Sequence, residues 1–198
     1  MLPRTIRLTA ATIVALGLLT ACSGETSGSA DPSASPSSSG ASSGGAGPKV
    51  PAPLPTDDLL NNPCNVLNAD EAAKEGFIYP GRTVNESSVS CSFKSTGNPL
   101  NSVSIGALPQ NKNGISDIYD QKAQSAYFEP VTVNGYPGVL ADAHDGRPSG
   151  NCQLWLGVTD QLAVSIVPQI SAGQHKADPC GFAQEVAGVV VDHLKAAA

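Results

Sequence analysis

Four cysteines, Cys64, Cys91, Cys152 and Cys180, lie in a stretch that holds the chain's one Trp, and whether they are joined decides how that stretch can fold. Aromatic residues make up only 5% of the sequence, so a core must rest mostly on Val, Leu, Ile and Ala. Oxidation depends on compartment, and the N-terminus speaks to that. Arg4 and Arg7 form a positive region without an acid, and Leu8 to Leu19 is an apolar run. That run is too short to span a hydrocarbon layer, which needs about 20 residues, and suits the core of an export signal.

Leu19-Thr20-Ala21-Cys22 follows directly, with a branched apolar residue, two small residues and Cys. This resembles the bacterial lipobox, in which the thiol receives diacylglycerol, the signal is cut just before the Cys, and the new N-terminus is acylated. Cleavage by the ordinary signal peptidase with an incidental Cys22 is the alternative, but position, spacing and run length all favour lipidation. Two or three acyl chains exceed what stable anchoring requires. The expected partner is therefore a cell membrane, reached through the lipid anchor on Cys22, with the protein on its extracytoplasmic face.

With Cys22 lipidated, an even number of cysteines remains, implying two disulfides with three connectivities. No CxxC pair is present and the spacings are long and irregular, which disfavours zinc. Cys64 and Cys180 share a setting, Asn62-Pro63-Cys64 and Asp178-Pro179-Cys180, each ahead of a helical pattern, whereas Cys91 and Cys152 lie in strand-like runs. This favours Cys64–Cys180 and Cys91–Cys152, the first closing a loop worth about 4–5 kcal/mol.

Three regions follow: a signal peptide at 1–21, a lipidated Cys with a tether at 22–58, and one domain at 59–198. Ser23 to Pro55 is built from Ser, Gly, Ala and Pro, with almost no large apolar residue before Val50. It cannot bury enough surface to offset backbone entropy, so a disordered spacer with a reach of roughly 35 Å is expected, stiffer over Lys49 to Pro55. Sugar decoration of its Ser residues is a further option that the spacer role does not need. The formal charge is −6, and loss of Arg4 and Arg7 makes the mature chain more acidic. Lys and Arg are scattered, with no basic stripe, so binding to nucleic acid or to anionic lipid through charge is disfavoured.

The domain reads as helix, strands, helix, strands, helix. Asn68 caps Ala69 to Glu75, with Glu71 completing a capping box and Gly76 ending the helix. Ile115, Ile118, Tyr119, Ala123 and Ala126 follow a helical stripe. Asp178 caps a third helix with Pro179 at its first position, then Phe182, Val186, Val189, Val190 and Leu194 at helical spacing. Strands are expected over 88–94 and 100–108, over 129–133 and 136–142 around the hairpin signal Asn134-Gly135, and over 152–158 and 162–167. The natural solution is an α+β fold, an antiparallel β-sheet with helices packed on it and two disulfides.

These residues resemble an actinobacterial lipoprotein family of unknown function (domain of unknown function 3558). The resemblance rests on Pro63-Cys64-x-x-Leu67-x-x-x-Glu71-Ala72-Ala73, Ser90-Cys91-Ser92-Phe93 and Val133-Asn134-Gly135-Tyr136-Pro137, with the Cys152 strand and Asp178-Pro179-Cys180 before an Ala- and Val-rich last helix. It spans roughly residues 61 to 195, through the order of the motifs rather than any single one. It implies an envelope lipoprotein with a two-disulfide α+β domain, and it carries no activity and so no catalytic residues.

Asp142, His144 and Asp145 form the one tight group of potential ligands, in a segment that also reads as an ordinary turn. His175 lies in a polar connector, and His193 in a last helical turn, where a cation suits the dipole. No GxSxG, SxxK, HExxH or phosphate-binding loop is present, so no catalytic residue, metal or cofactor is expected. Asn85-Glu86-Ser87 fits a glycosylation sequon, which means little behind a bacterial lipobox. Trp155 is a candidate for lining a ligand groove, although packing on a sheet face would use it equally well. The reading favoured is a binding or interaction module for an envelope ligand, the cell wall or an envelope protein. The alternative is an enzyme acting on envelope polymers. An apolar cleft without converging titratable groups would favour binding, and two carboxylates or a Ser/His pair facing one cleft would favour catalysis.

Overall fold

The computed structural model describes residues 47–84 and 89–198. The expected signal segment, Cys22 and the expected tether as far as residue 46 lie outside the described residues, as do the sequon Asn85-Glu86-Ser87 and Ser88 at the start of an expected strand.

Alternation of small apolar and polar residues builds the centre of the domain. The strands are Arg82–Thr83 (β1), Ser90–Lys94 (β2), Ser102–Ala107 (β3), Tyr127–Val133 (β4), Tyr136–Asp142 (β5), Leu154–Thr159 (β6) and Leu162–Gln169 (β7). Among the described residues they form one antiparallel sheet in the order β1-β2-β3-β7-β6-β5-β4. The three expected strand pairs are its hairpins, and pairing of β3 with β7, with Ile105 opposite Ile166, and of β5 with β6 joins them into one sheet. Between β4 and β5, Asn134 and Gly135 take φ of 48° and 88°, the left-handed pair that a two-residue hairpin turn requires.

The helices are Asp57–Asn61 (α1), Ala69–Lys74 (α2), Ser116–Tyr119 (α3) and Pro179–Ala196 (α4). At α2 the Glu71 amide donates to Asn68 Oδ1 at 2.9 Å and the Asn68 amide donates to Glu71 Oε2 at 2.8 Å, so the capping box forms as its sequence implies. At α4 the Gly181 amide donates to Asp178 Oδ1 at 2.8 Å, with Pro179 at the first position.

The buried side of α4, with Phe182, Val186, Val190 and Leu194, packs on the sheet face made by Cys91, Phe93, Val103, Ile105, Leu154, Leu156, Val164 and Ile166. Asn134 Nδ2 donates to the Gly188 carbonyl at 3.1 Å and to Asp192 Oδ1 at 3.0 Å, tying the β4–β5 turn to the same helix. This is the expected α+β architecture.

Three expectations change. The helical stripe over Ile115 to Ala126 becomes α3 and a short 3-10 turn at Lys122–Gln124. Ile115 and Ile118 pack with Val139 and Ala141 on the second sheet face, whereas Ala123 and Ala126 are exposed. Without buried contacts beyond the first turn, nothing sustains propagation of so short a helix.

The second change is at the N-terminal side. Leu54, placed in the tether by composition, is buried, and its amide donates to the Val158 carbonyl at 2.9 Å. The Val50 amide donates to Asp160 Oδ1 at 3.1 Å, so this segment is packed along β6 and its turn.

The third is the disulfide pairing. The bonds join Cys64 to Cys91 and Cys152 to Cys180, with Cα atoms 4.9 and 5.2 Å apart, and not Cys64 to Cys180 and Cys91 to Cys152. Matching Pro-Cys settings describe local backbone, whereas pairing follows tertiary neighbours. The turn Pro63–Val66 lies across β2, and the start of α4 lies beside the start of β6. Gly81 passes so close to Cys91 Sγ and the Phe93 ring that a Cβ there would collide with both.

Candidate functional site

The ends of four segments meet at one edge of the core: the last turn of α2, the β2–β3 connection, the connector after β7 and the first turns of α4. Gly76, at φ 71°, ends α2 in the left-handed conformation, and Gly173, at φ 100°, turns the connector. Asn101, buried at 9% exposure, locks the connector to the β2–β3 turn. Its Oδ1 accepts from the Ser171 amide at 2.9 Å and the Ser171 hydroxyl at 2.8 Å, and its Nδ2 donates to the Ala172 carbonyl at 2.8 Å.

Between these segments lies a cleft of about 840 Å³. Phe77, Ile170 and Phe182 form its apolar floor, Ser95 to Asn98 one wall, and Gln174 and His175 another. The His175 ring stacks on Phe182 with centroids 4.2 Å apart. Most polar side chains of the walls are tied into the loops. Thr96 Oγ1 donates to the Gly76 carbonyl at 3.1 Å, Ser95 Oγ accepts from the Gly97 amide at 3.3 Å, and Asn98 Oδ1 accepts from the Leu100 amide at 3.0 Å.

Two carboxylates, Glu75 and Glu185, also face this space. Among the described residues neither is held in a salt bridge. Partial burial holds the Glu75 carboxyl above its ordinary value of 4.5, the negative charge of Glu185 raises it further, and His175 pulls the other way. The folded chain therefore holds this proton more tightly than the unfolded chain. The group favours the fold below about pH 4.5 and loses that contribution as pH rises through its folded value. Glu75→Gln is expected to move the urea midpoint upward at pH 7 and to leave it unchanged at pH 3. A lower midpoint at pH 7 would show that the charge is satisfied in the fold.

The residues singled out in the sequence lie elsewhere, His175 excepted. Trp155 sits on the second sheet face beside Ile115, Ile118 and Val139, and its Nε1 donates to the Ala141 carbonyl at 2.8 Å. That places it in packing on the sheet face, half-buried. Asp142 accepts from the His144 amide at 3.3 Å, the hydrogen bond of a local turn. Asp145 is held by Arg147, which donates from Nε at 2.8 Å and from Nη2 at 2.8 Å, and these bonds lower its carboxyl below the ordinary range. Arg147 also donates to Glu129 at 2.7 Å and covers the Tyr127 ring at 4.2 Å. The three do not converge on one point, and among the described residues no group of three or more His, Cys, Asp or Glu is placed to hold a metal. His193 Nδ1 lies 2.8 Å from Glu71 Oε2, linking α4 to the capping box of α2. Cys22 lies outside the described residues, and Cys64, Cys91, Cys152 and Cys180 are all in bridges.

The sequence singled out neither Glu75 nor Glu185. They are 110 positions apart, each in an unremarkable helical setting, and only packing of α2 beside the first turns of α4 brings them to one cleft.

A family model described as "protein of unknown function (DUF3558)" matches residues 17–193. No curated protein and no solved structure matches the chain.

Proposed function

The chain belongs to the DUF3558 family of unknown function, and from that premise we propose that it is a lipid-anchored extracytoplasmic protein of the actinobacterial envelope whose domain is a ligand-binding module. The observation that carries the binding reading is the cleft between α2 and α4. It combines an apolar floor with a rigid, internally hydrogen-bonded rim, and its volume is that of a site for a small molecule or a short stretch of polymer. The lipobox ending in Cys22 supports the anchor, and two disulfides suit an oxidising compartment. Among the described residues no helix is long and apolar enough to cross a membrane.

Cys22→Ala is expected to abolish membrane retention and to leave unprocessed precursor, read by fractionation and intact mass. A mature-size protein that still sediments with membranes would refute the anchor.

Glu75 and Glu185 support a second reading, acid–base action on an envelope polymer, because two carboxylates facing one cleft are what such chemistry uses. Against it stand the exposure of Glu185, the use of Ser95 Oγ and Thr96 Oγ1 in loop contacts, and the stacking of the His175 ring on Phe182. Turnover of cell-wall polymer that Glu75→Gln abolishes would establish the enzyme; binding without turnover supports the module.

A further inference from the structure

The geometry points to an organic cation as the ligand of this cleft: an ammonium group set between Glu75 and Glu185, carried on an apolar body that lies on the Phe77, Ile170 and Phe182 floor. The inference rests on the binding reading above and gives it a chemical class.

Its basis is charge complementarity at a site where most other polar side chains already serve the loops. Thr96, Ser95, Asn98 and Asn101 are spent on the loops, and Gln174 Nε2 lies 2.9 Å from His175 Nε2. Glu75 and Glu185 are left without a salt bridge among the described residues. Glu75 is partly desolvated and sits within the field of Glu185, and these together outweigh the opposing field of His175 and disfavour its ionised form. Of the basic residues of the lining, Lys74 is exposed and makes no ion pair with either acid, and His175, whose field opposes the shift of Glu75, makes no salt bridge with it. An anionic ligand would add a third negative charge to the pair, and a neutral one would leave both carboxylates as they are. An ammonium relieves the repulsion.

The test is an NMR titration of the full chain in detergent at pH 7, following the Gly76, Gly97 and Gly173 amides, which lie in the cleft lining. Three probes of one shape are compared: phenethylamine, 2-phenylethanol and 3-phenylpropionate. The amine is expected to shift these glycines with a dissociation constant about 10-fold below that of the alcohol, with the carboxylate weakest. Glu75→Gln combined with Glu185→Gln should erase the preference while leaving the alcohol's binding in place. Glycine shifts from all three probes with equal affinity, or tightest binding of the carboxylate, would overturn the cationic ligand while leaving a binding cleft. Glycines that respond to none of the probes would overturn both.

Discussion

Cys152→Ala together with Cys180→Ala is expected to cost about 3–4 kcal/mol of stability, read from urea unfolding of the oxidised protein. The bridge closes a loop whose ends are 28 residues apart and joins the start of β6 to the first turn of α4. Its removal returns that loop's freedom to the unfolded chain and leaves the start of α4 to the Asp178 cap, Pro179 and its apolar contacts. The first-turn contacts of α4 form one wall of the cleft, so looser protection from hydrogen exchange should appear there before it appears in β3 or β7. The Cys64–Cys91 pair, with ends 27 apart, should cost a similar amount when replaced in the same way. A loss below about 1 kcal/mol for either pair would show that the unfolded chain is already compact at that loop. Non-reducing peptide mapping should recover Cys64 with Cys91 and Cys152 with Cys180.

Phe93→Ala should be the most damaging single substitution of those considered, at about 3–5 kcal/mol. Phe93 is fully buried, its ring centroid lies 6.1 Å from that of Phe77, and Gly81 is packed against it. The surroundings are poorly placed to collapse into the void. One side is the sheet, paired to β3 in register with Val103, and another is held by the adjacent Cys64–Cys91 bridge. Phe77 also touches Phe182, with centroids 5.9 Å apart, so the loss should carry into the cleft floor. A loss below about 1.5 kcal/mol would mean that neighbouring side chains refill the space.

Much of the architecture is legible where local chemistry decides it. Asn68 with Glu71, Asp178 with Pro179, and Asn134-Gly135 each specify a backbone conformation within a few residues, and each forms as its sequence implies. The failures share a different cause. Likeness of setting favours a Cys64–Cys180 pairing, but spatial neighbours are decided by how the Pro63–Val66 turn lies on β2. The segment around Leu54 looks like spacer because one Leu among prolines carries little periodic signal, yet that side chain has a place beside β6. Trp155 attracts attention as the chain's one Trp, while the described structure packs it on the second sheet face. Glu75 and Glu185 lack any motif, since their meaning comes from being brought together across 110 positions. Sites assembled by packing alone leave no local trace.

Photo-crosslinking in the native envelope tests the central claim most directly. A photoreactive side chain is placed at Gly97, on the cleft rim with room for a side chain, and separately at Asp120, exposed just beyond α3 beside the second sheet face. The full chain with Cys22 intact is illuminated in its own membrane. The account predicts an adduct from Gly97 that Glu75→Gln with Glu185→Gln removes, and none from Asp120. Adducts from Asp120 alone, or a Gly97 adduct indifferent to both carboxylates, would contradict it.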